Sequence, residues 1–275
     1  MKFAICNETF QDWPFDKAFA FARQCGYAGI EFAPFTIHKN AYEIAADRRR
    51  EIRQQAEDAG LEVVGLHWLL AFTEGYYLTS PEADVRDRTT RYLGELARMC
   101  RDLGGKVLVL GSPKQRNLLP GVTHDQALEY AAEVLRGAVP TLRDCGVVLA
   151  VEPLGPQEGD FLLTAESGIR LVQMVDSPCC RLHLDVKAMS TESKPIPQII
   201  RDNGPLLKHF HANDPNRRGP GMGQVPLEPI FEALGEIDYR GWVSVEVFDY
   251  SPGIETLASE SMQNMQDCLT RLAGK

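Results

Sequence analysis

The chain is short of positive charge. Lysine and arginine total 29 against 38 aspartates and glutamates, and the formal net charge is -9. A protein that grips phosphate backbones needs a positive face. The only dense basic run, Arg48-Arg49-Arg50, is flanked by Asp47 and Glu51 and reads as a solvated helix face. Nucleic acid is therefore not an expected partner. No apolar run approaches the roughly 20 residues of a membrane span, so no membrane partner is expected either. The opening residues Met1-Lys2-Phe3-Ala4-Ile5-Cys6-Asn7 turn polar too soon for a secretory signal. No CxxC occurs, and the seven cysteines have no repeating spacing. They are expected to be reduced, mostly buried thiols of a cytoplasmic protein. Low-complexity segments are missing, and so is a glycine-rich phosphate loop after the first β-like run.

What is present is a regular alternation. The 275 residues are 44% hydrophobic and 24% charged, enough apolar material for a large core under a charged surface. Short runs rich in Val, Leu and Ile fall at 2–6, 29–33, 62–67, 106–110, 147–152, 181–185, 207–211 and 242–247. Each precedes a helical pattern, at 16–25, 41–59, 84–103, 124–144, 165–175, 196–203, 227–236 and 254–272. Gly26, Gly60, Gly104 and Gly146 stand where four of those helices should stop. Strand alternating with helix implies parallel strands joined by right-handed crossovers. Eight such units in a chain of this length predict an α/β protein: a single-domain (β/α)₈ TIM barrel over residues 1–275. An open doubly wound sheet is the alternative, disfavoured by the missing phosphate loop.

In a (β/α)₈ barrel the chemistry sits where the strands end. The fifth run ends at Glu152, the sixth at Asp185, the seventh at His211, and the eighth carries Glu246. Each alone has an ordinary reading: a salt-bridge partner, a turn cap, a hydrogen-bonded core histidine, an arginine partner. Together they read differently. Three carboxylates at neighbouring strand ends repel one another unless a cation lies between them. One imidazole and three carboxylates suit a single divalent ion such as Mn²⁺, Co²⁺ or Mg²⁺, with Zn²⁺ admissible.

Several segments, Val151-Glu152-Pro153, His183-Leu184-Asp185, Phe210-His211-Ala212-Asn213-Asp214, Asn216-Arg217-Arg218 with Gly221 and Gly223, and Val245-Glu246, carry a family pattern. By them the chain resembles the xylose-isomerase-like sugar isomerase/epimerase superfamily, in a pattern similar to the D-tagatose and D-psicose 3-epimerases. The resemblance implies a small-molecule carbohydrate substrate and an enediolate stabilised by the metal. It implies that Glu152 and Glu246 transfer protons on opposite sides of the substrate, while Asp185 and His211 only hold the metal. Glu158 and Arg217 match positions that contact substrate hydroxyls. His67, at the end of the third run, is a further candidate substrate contact, and Glu31 and Trp68 are left undecided between site and packing. Related enzymes are often homodimers or homotetramers. One departure stands out: the ketose 3-epimerases have a histidine three residues after the ligand aspartate, where this chain has Ala188. The neighbouring Lys187 is expected to offer a cation to substrate instead.

The leading expectation is a sugar epimerase or aldose–ketose isomerase. The alternative keeps the metal and expels a β-leaving group, as a lyase or dehydratase on a keto-inositol or 3-keto-glycoside. A DNA-repair endonuclease of the endonuclease IV type is opposed by the acidic charge and by Gly111 and Ala188. A non-enzymatic carbohydrate-binding subunit is opposed by the complete ligand set.

Overall fold

A computed structural model describes residues 1–274. Strands and helices alternate as β1 Lys2–Cys6, α1 Phe15–Cys25, β2 Gly29–Phe32, α2 Ala46–Asp58, β3 Glu62–Leu66, α3 Ala83–Leu103, β4 Val107–Leu110 and α4 His124–Cys145. The second half continues with β5 Val148–Val151, α5 Ala165–Val175, β6 Cys180–Asp185, α6 Val186–Met189, α7 Ile196–Asn203, β7 Leu207–Ala212, α8 Leu227–Glu236, β8 Trp242–Val245 and α9 Ile254–Ala273. Every strand pairs in parallel with its neighbour in chain order, and β8 closes on β1 through Lys2↔Trp242 to Ile5↔Val245. The predicted barrel is the observed one.

The helix ends follow from local chemistry. Thr123 and Gln126 form a reciprocal capping box at the start of α4, and Thr164 and Ser167 do the same for α5. Gly26, Gly60, Gly104 and Gly146 all take positive φ at or just beyond their helix ends, as anticipated. Two expectations are corrected. The helix expected over 41–59 is divided: Asn40 accepts from the Tyr42 N–H and closes a 3₁₀ turn at Ala41–Glu43, Ile44 is extended, and α2 begins only at Ala46. The basic run is not wholly solvated. Arg48 and Arg50 are exposed, but Arg49 is buried, pairs with Glu95 at 2.6 Å and Asp102 at 3.2 Å, and ties α2 to α3.

The core has two parts. Between sheet and helices lies the large apolar layer, including Leu149, Leu182, Leu184, Phe210 and Val245. Val107, Val109 and Ala150 form a separate small cluster. Period-two alternation puts these three on the inward faces of β4 and β5, so they fill the barrel lumen. The same alternation turns His183 and Asp185, His209 and His211, and Ser244 and Glu246 inward, and all six are buried. Half of the lumen is thus polar, and that half leads to the C-terminal rim.

Candidate active site

Glu152 and Glu246 each follow the last residue of a strand, while Asp185 and His211 lie on β6 and β7 themselves. All four are buried, and one ligand atom from each lies within 4.8 Å of the others. The second-half strands therefore deliver the predicted set to one point. Gly111, just past β4, makes this arrangement feasible: a Cβ there would sit 1.6 Å from Glu152 Oε2.

The electrostatics of the set call for a cation. Burial raises the Glu152 carboxyl well above the usual range, and the negative charges of Glu246 and Asp185 push it the same way. Burial also lifts Asp185 to about 6, despite Lys187 nearby. Burial opposes ionisation of Glu246 too, but His211 and the hydrogen bonds from His211 and Trp68 overcome it and hold the group at about 2. Burial would lower the basicity of His211, yet Glu246 and Glu31 raise it well above the ordinary value. Its Nδ1 lies 3.0 Å from Glu246 Oε2. A divalent cation would replace that shared proton and offset the three carboxylates, so the donor set fits one such ion.

Each ligand is oriented by a further partner. Asp185 Oδ2 accepts from Asn213 Nδ2 at 2.5 Å, and Oδ1 accepts from the Ala188 N–H at 2.8 Å. Asp185 thus caps α6 as well as facing the cluster, and its two sequence readings coexist. Trp68, with a positive φ of 51°, donates Nε1–H to Glu246 Oε1 at 2.6 Å. Arg116 is buried and donates to the carbonyls of Leu110 at 3.2 Å and Glu152 at 2.6 Å, pinning the ends of β4 and β5. Glu31 bridges two histidines: its oxygens lie 2.7 Å from His209 Nε2 and 3.2 Å from His211 Nε2. Burial notwithstanding, His209 and His211 hold the Glu31 carboxyl well below its usual range.

His67 does not line the cavity. It is buried behind the ligands, 2.9 Å from Glu8 Oε2, because the 3₁₀ turn at Asn7–Phe10 folds Glu8 toward the lumen. Cys6, Glu31 and His67 also converge, as do Glu8, His67 and Glu246 and the trio His183, His209 and His211. In these sets Glu31 already accepts from two imidazoles and His67 faces Glu8. Among the described residues, the set of Glu152, Asp185, His211 and Glu246 places two members, Glu152 and Glu246, on the cavity wall, and the set of Glu8, His67 and Glu246 places one.

That cavity, about 750 Å³, is lined by Glu152, Glu246, Trp68, Glu158, Lys187 and Arg217 among others. Three of the four candidate substrate contacts are therefore beside the cluster. Lys187 pairs with Glu158 at 2.6 Å and stands 4.7 Å from the centre of the Phe248 ring. Arg217 takes a strained φ of 71°. Its carbonyl accepts from Phe248 N at 2.8 Å and Asp249 N at 2.9 Å, which fixes the loop after β7 to the loop after β8. The sequence reading missed Glu8, Arg116 and the bridging role of Glu31. Period two on β2 puts Glu31 opposite Ile30 and was the one available signal.

Comparison with known proteins agrees with the barrel fold. A family model described as xylose isomerase-like TIM barrel matches residues 19–268. The D-psicose 3-epimerase of Agrobacterium fabrum is 37% identical over 126 residues, 45% of this chain and 44% of that protein. The D-psicose 3-epimerase of Ruminiclostridium cellulolyticum is 30% identical over 173 residues, 62% of this chain and 59% of that protein. The matched stretch thus spans about half the length of these curated relatives. The crystal structure of D-psicose 3-epimerase with D-tagatose from Clostridium cellulolyticum H10 superposes with a TM-score of 0.85 at 22% identity, covering 98% of this chain and 99% of that one. Among the described residues no helix is long and apolar enough to cross a membrane. The chain belongs to the xylose isomerase-like TIM barrel family.

Proposed function

We propose that the chain is a metal-dependent sugar epimerase or isomerase acting on an open-chain ketose or a related keto-sugar. The convergence of Glu152, Asp185, His211 and Glu246 beside a cavity carries the reading. The similarity to D-psicose 3-epimerases supports it. A divalent cation held by these four residues, Mn²⁺, Co²⁺ or Mg²⁺ by preference and Zn²⁺ by tolerance, would supply Lewis acidity at a carbonyl and a neighbouring hydroxyl oxygen.

The chain's own residues do the rest. β6 and β7 separate β5 from β8 around the ring, so Glu152 and Glu246 reach the substrate from different sides. One takes the carbon-bound proton as general base, and the other returns a proton to the opposite face, which inverts that carbon. Return to the adjacent carbon interconverts aldose and ketose. Trp68 and His211 orient the two oxygens of Glu246, and Arg116 fixes the backbone that carries Glu152. Asp185 is fixed at one oxygen by Asn213 and at the other by the Ala188 N–H, so its role is to hold the cation and not to transfer protons. Glu158 and Arg217 contact substrate hydroxyls from the cavity wall, and Lys187 offers its cation there to a keto oxygen. The seven free cysteines suit a cytoplasmic setting, and a homodimer or homotetramer is inferred from analogy alone.

The test is proton exchange. The Mn²⁺- or Co²⁺-loaded protein is incubated with D-fructose and D-psicose in D₂O, and deuterium entry at carbon is followed by NMR. Exchange in the wild type, reduced on the order of 10²–10⁴-fold in Glu152→Gln and in Glu246→Gln, supports the reading. No exchange with any ketose, or full exchange in both variants, contradicts it.

A further inference from the structure

A second groove, about 1000 Å³, adjoins the catalytic cavity, and Ser190 and Pro215 line both. It runs between the α6–α7 segment and the loop from Asp214 to Pro226. A single hexose does not need this space. Even at about 30 Å³ for each heavy atom, a hexose fills roughly 360 Å³, about half of the 750 Å³ cavity alone.

The groove walls also have a definite chemistry. Ile196, Pro197, Met222, Val225 and Pro229 supply apolar surface. The charged groups along it are already engaged within the protein. Asp214 accepts from Val225 N at 3.1 Å and Asn216 N at 3.4 Å, Glu192 accepts from Ala165 N at 2.9 Å, and Lys194 pairs with Asp202 at 2.6 Å. Among the described residues, each charged side chain that lines the groove thus has a partner within the protein, and none is an unpaired anchor for an ionic group. Apolar walls with the Gln224 amide and the Ser193 hydroxyl at hand suit an uncharged ring that has both an apolar face and hydroxyls. The apparent loop glycine Gly223 is required for this wall, since a Cβ there would lie 1.9 Å from Asp214 Oδ1.

We infer that this groove is a substituent subsite which holds an uncharged glycosyl group carried by the keto-sugar. The preferred substrate is then an O-glycosylated keto-sugar and not a free ketohexose. The inference rests on the proposed function and deepens it.

The experiment compares two probes on the metal-loaded protein in D₂O: D-fructose and isomaltulose, a fructose carrying glucose on O6 with its carbonyl and C3 hydroxyl free. The expected result is a kcat/KM for deuterium exchange at least about tenfold higher for isomaltulose. In Val225→Trp, which fills the groove, and independently in Gln224→Trp, the isomaltulose-to-fructose ratio falls toward one. Exchange of D-fructose at a rate equal to or above isomaltulose overturns the inference and leaves the epimerase reading standing. An unchanged ratio in both folded variants overturns it as well. So does a change of size-exclusion mass in Val225→Trp with the ratio intact, which would assign the groove to a second copy of the chain. Exchange with neither probe overturns this inference; only absence of exchange across the other ketoses, D-psicose included, would overturn the epimerase reading with it.

Discussion

Replacing Glu31 by glutamine tests how the lumen controls the metal ligand His211. Glu31 is fully buried, and its two oxygens face His209 Nε2 at 2.7 Å and His211 Nε2 at 3.2 Å. A carboxylate held ionised only accepts hydrogen bonds, so both imidazoles present Nε2–H to it. When a cation takes the place of the proton that His211 Nδ1 shares with Glu246, the Nδ1 lone pair is then free for that cation. Glutamine turns one oxygen into a donor, and one of the two imidazoles then faces an N–H. If that is His211, its proton moves to Nδ1, where a cation belongs. Partners of this kind are worth 10–100-fold in metal affinity, about 1.4–2.7 kcal/mol. One buried imidazole N–H left without an acceptor would lower fold stability by about 1–3 kcal/mol. Thermal melting establishes that Glu31→Gln is folded, and Mn²⁺ competition against a chelator gives its dissociation constant. A rise of at least tenfold is expected. A folded variant whose constant stays within about twofold of wild type refutes the reasoning.

Other changes probe the surroundings. In Gly111→Ala the new methyl displaces the Glu152 carboxylate it would overlap, so metal affinity should fall about tenfold or more with little loss of melting temperature; unchanged affinity by the same competition assay counts against the placement of Glu152. Lys187→Met removes the partner of Glu158 in the cavity and should raise KM about tenfold with a smaller change in kcat; a loss confined to kcat would place Lys187 in the chemistry instead. The metal-free protein should also respond to pH. Asp185 is raised to about 6 in the fold, so its stabilising protonated form is fully present below the ordinary value near 3.8 and is lost as pH rises through about 6. Metal-loaded protein should lack that decline because the cation takes the proton's place, and melting curves of both forms from about pH 4 to about pH 7 check this. Parallel curves would contradict it.

Much of the fold was legible because it is written in local patterns. The strand runs are short and apolar, and the first four long helices stop at glycines that take positive φ. The metal-ligand candidates were legible for the same reason: Glu152, Asp185, His211 and Glu246 close successive strands, and a parallel barrel brings strand ends together. What escaped depends on distant partners. Arg49 reads as surface until α3 supplies Glu95 and Asp102. The Trp68 indole finds Glu246 across the barrel, 178 residues away in sequence. Glu8 reaches His67 from the 3₁₀ turn that follows β1, and Arg116 does its work from the residue after another such turn, Pro113–Gln115. His67 followed the period-two rule inward but met Glu8, not the cavity.

The most direct test of the central claim is the divalent metal content of the purified protein and of Asp185→Ala, by elemental analysis after loading with Mn²⁺ or Co²⁺ and removal of free ion. The account predicts about one ion per chain in the wild type and its loss in the variant. Wild-type protein that retains no metal, or a folded Asp185→Ala that retains it fully, contradicts the account.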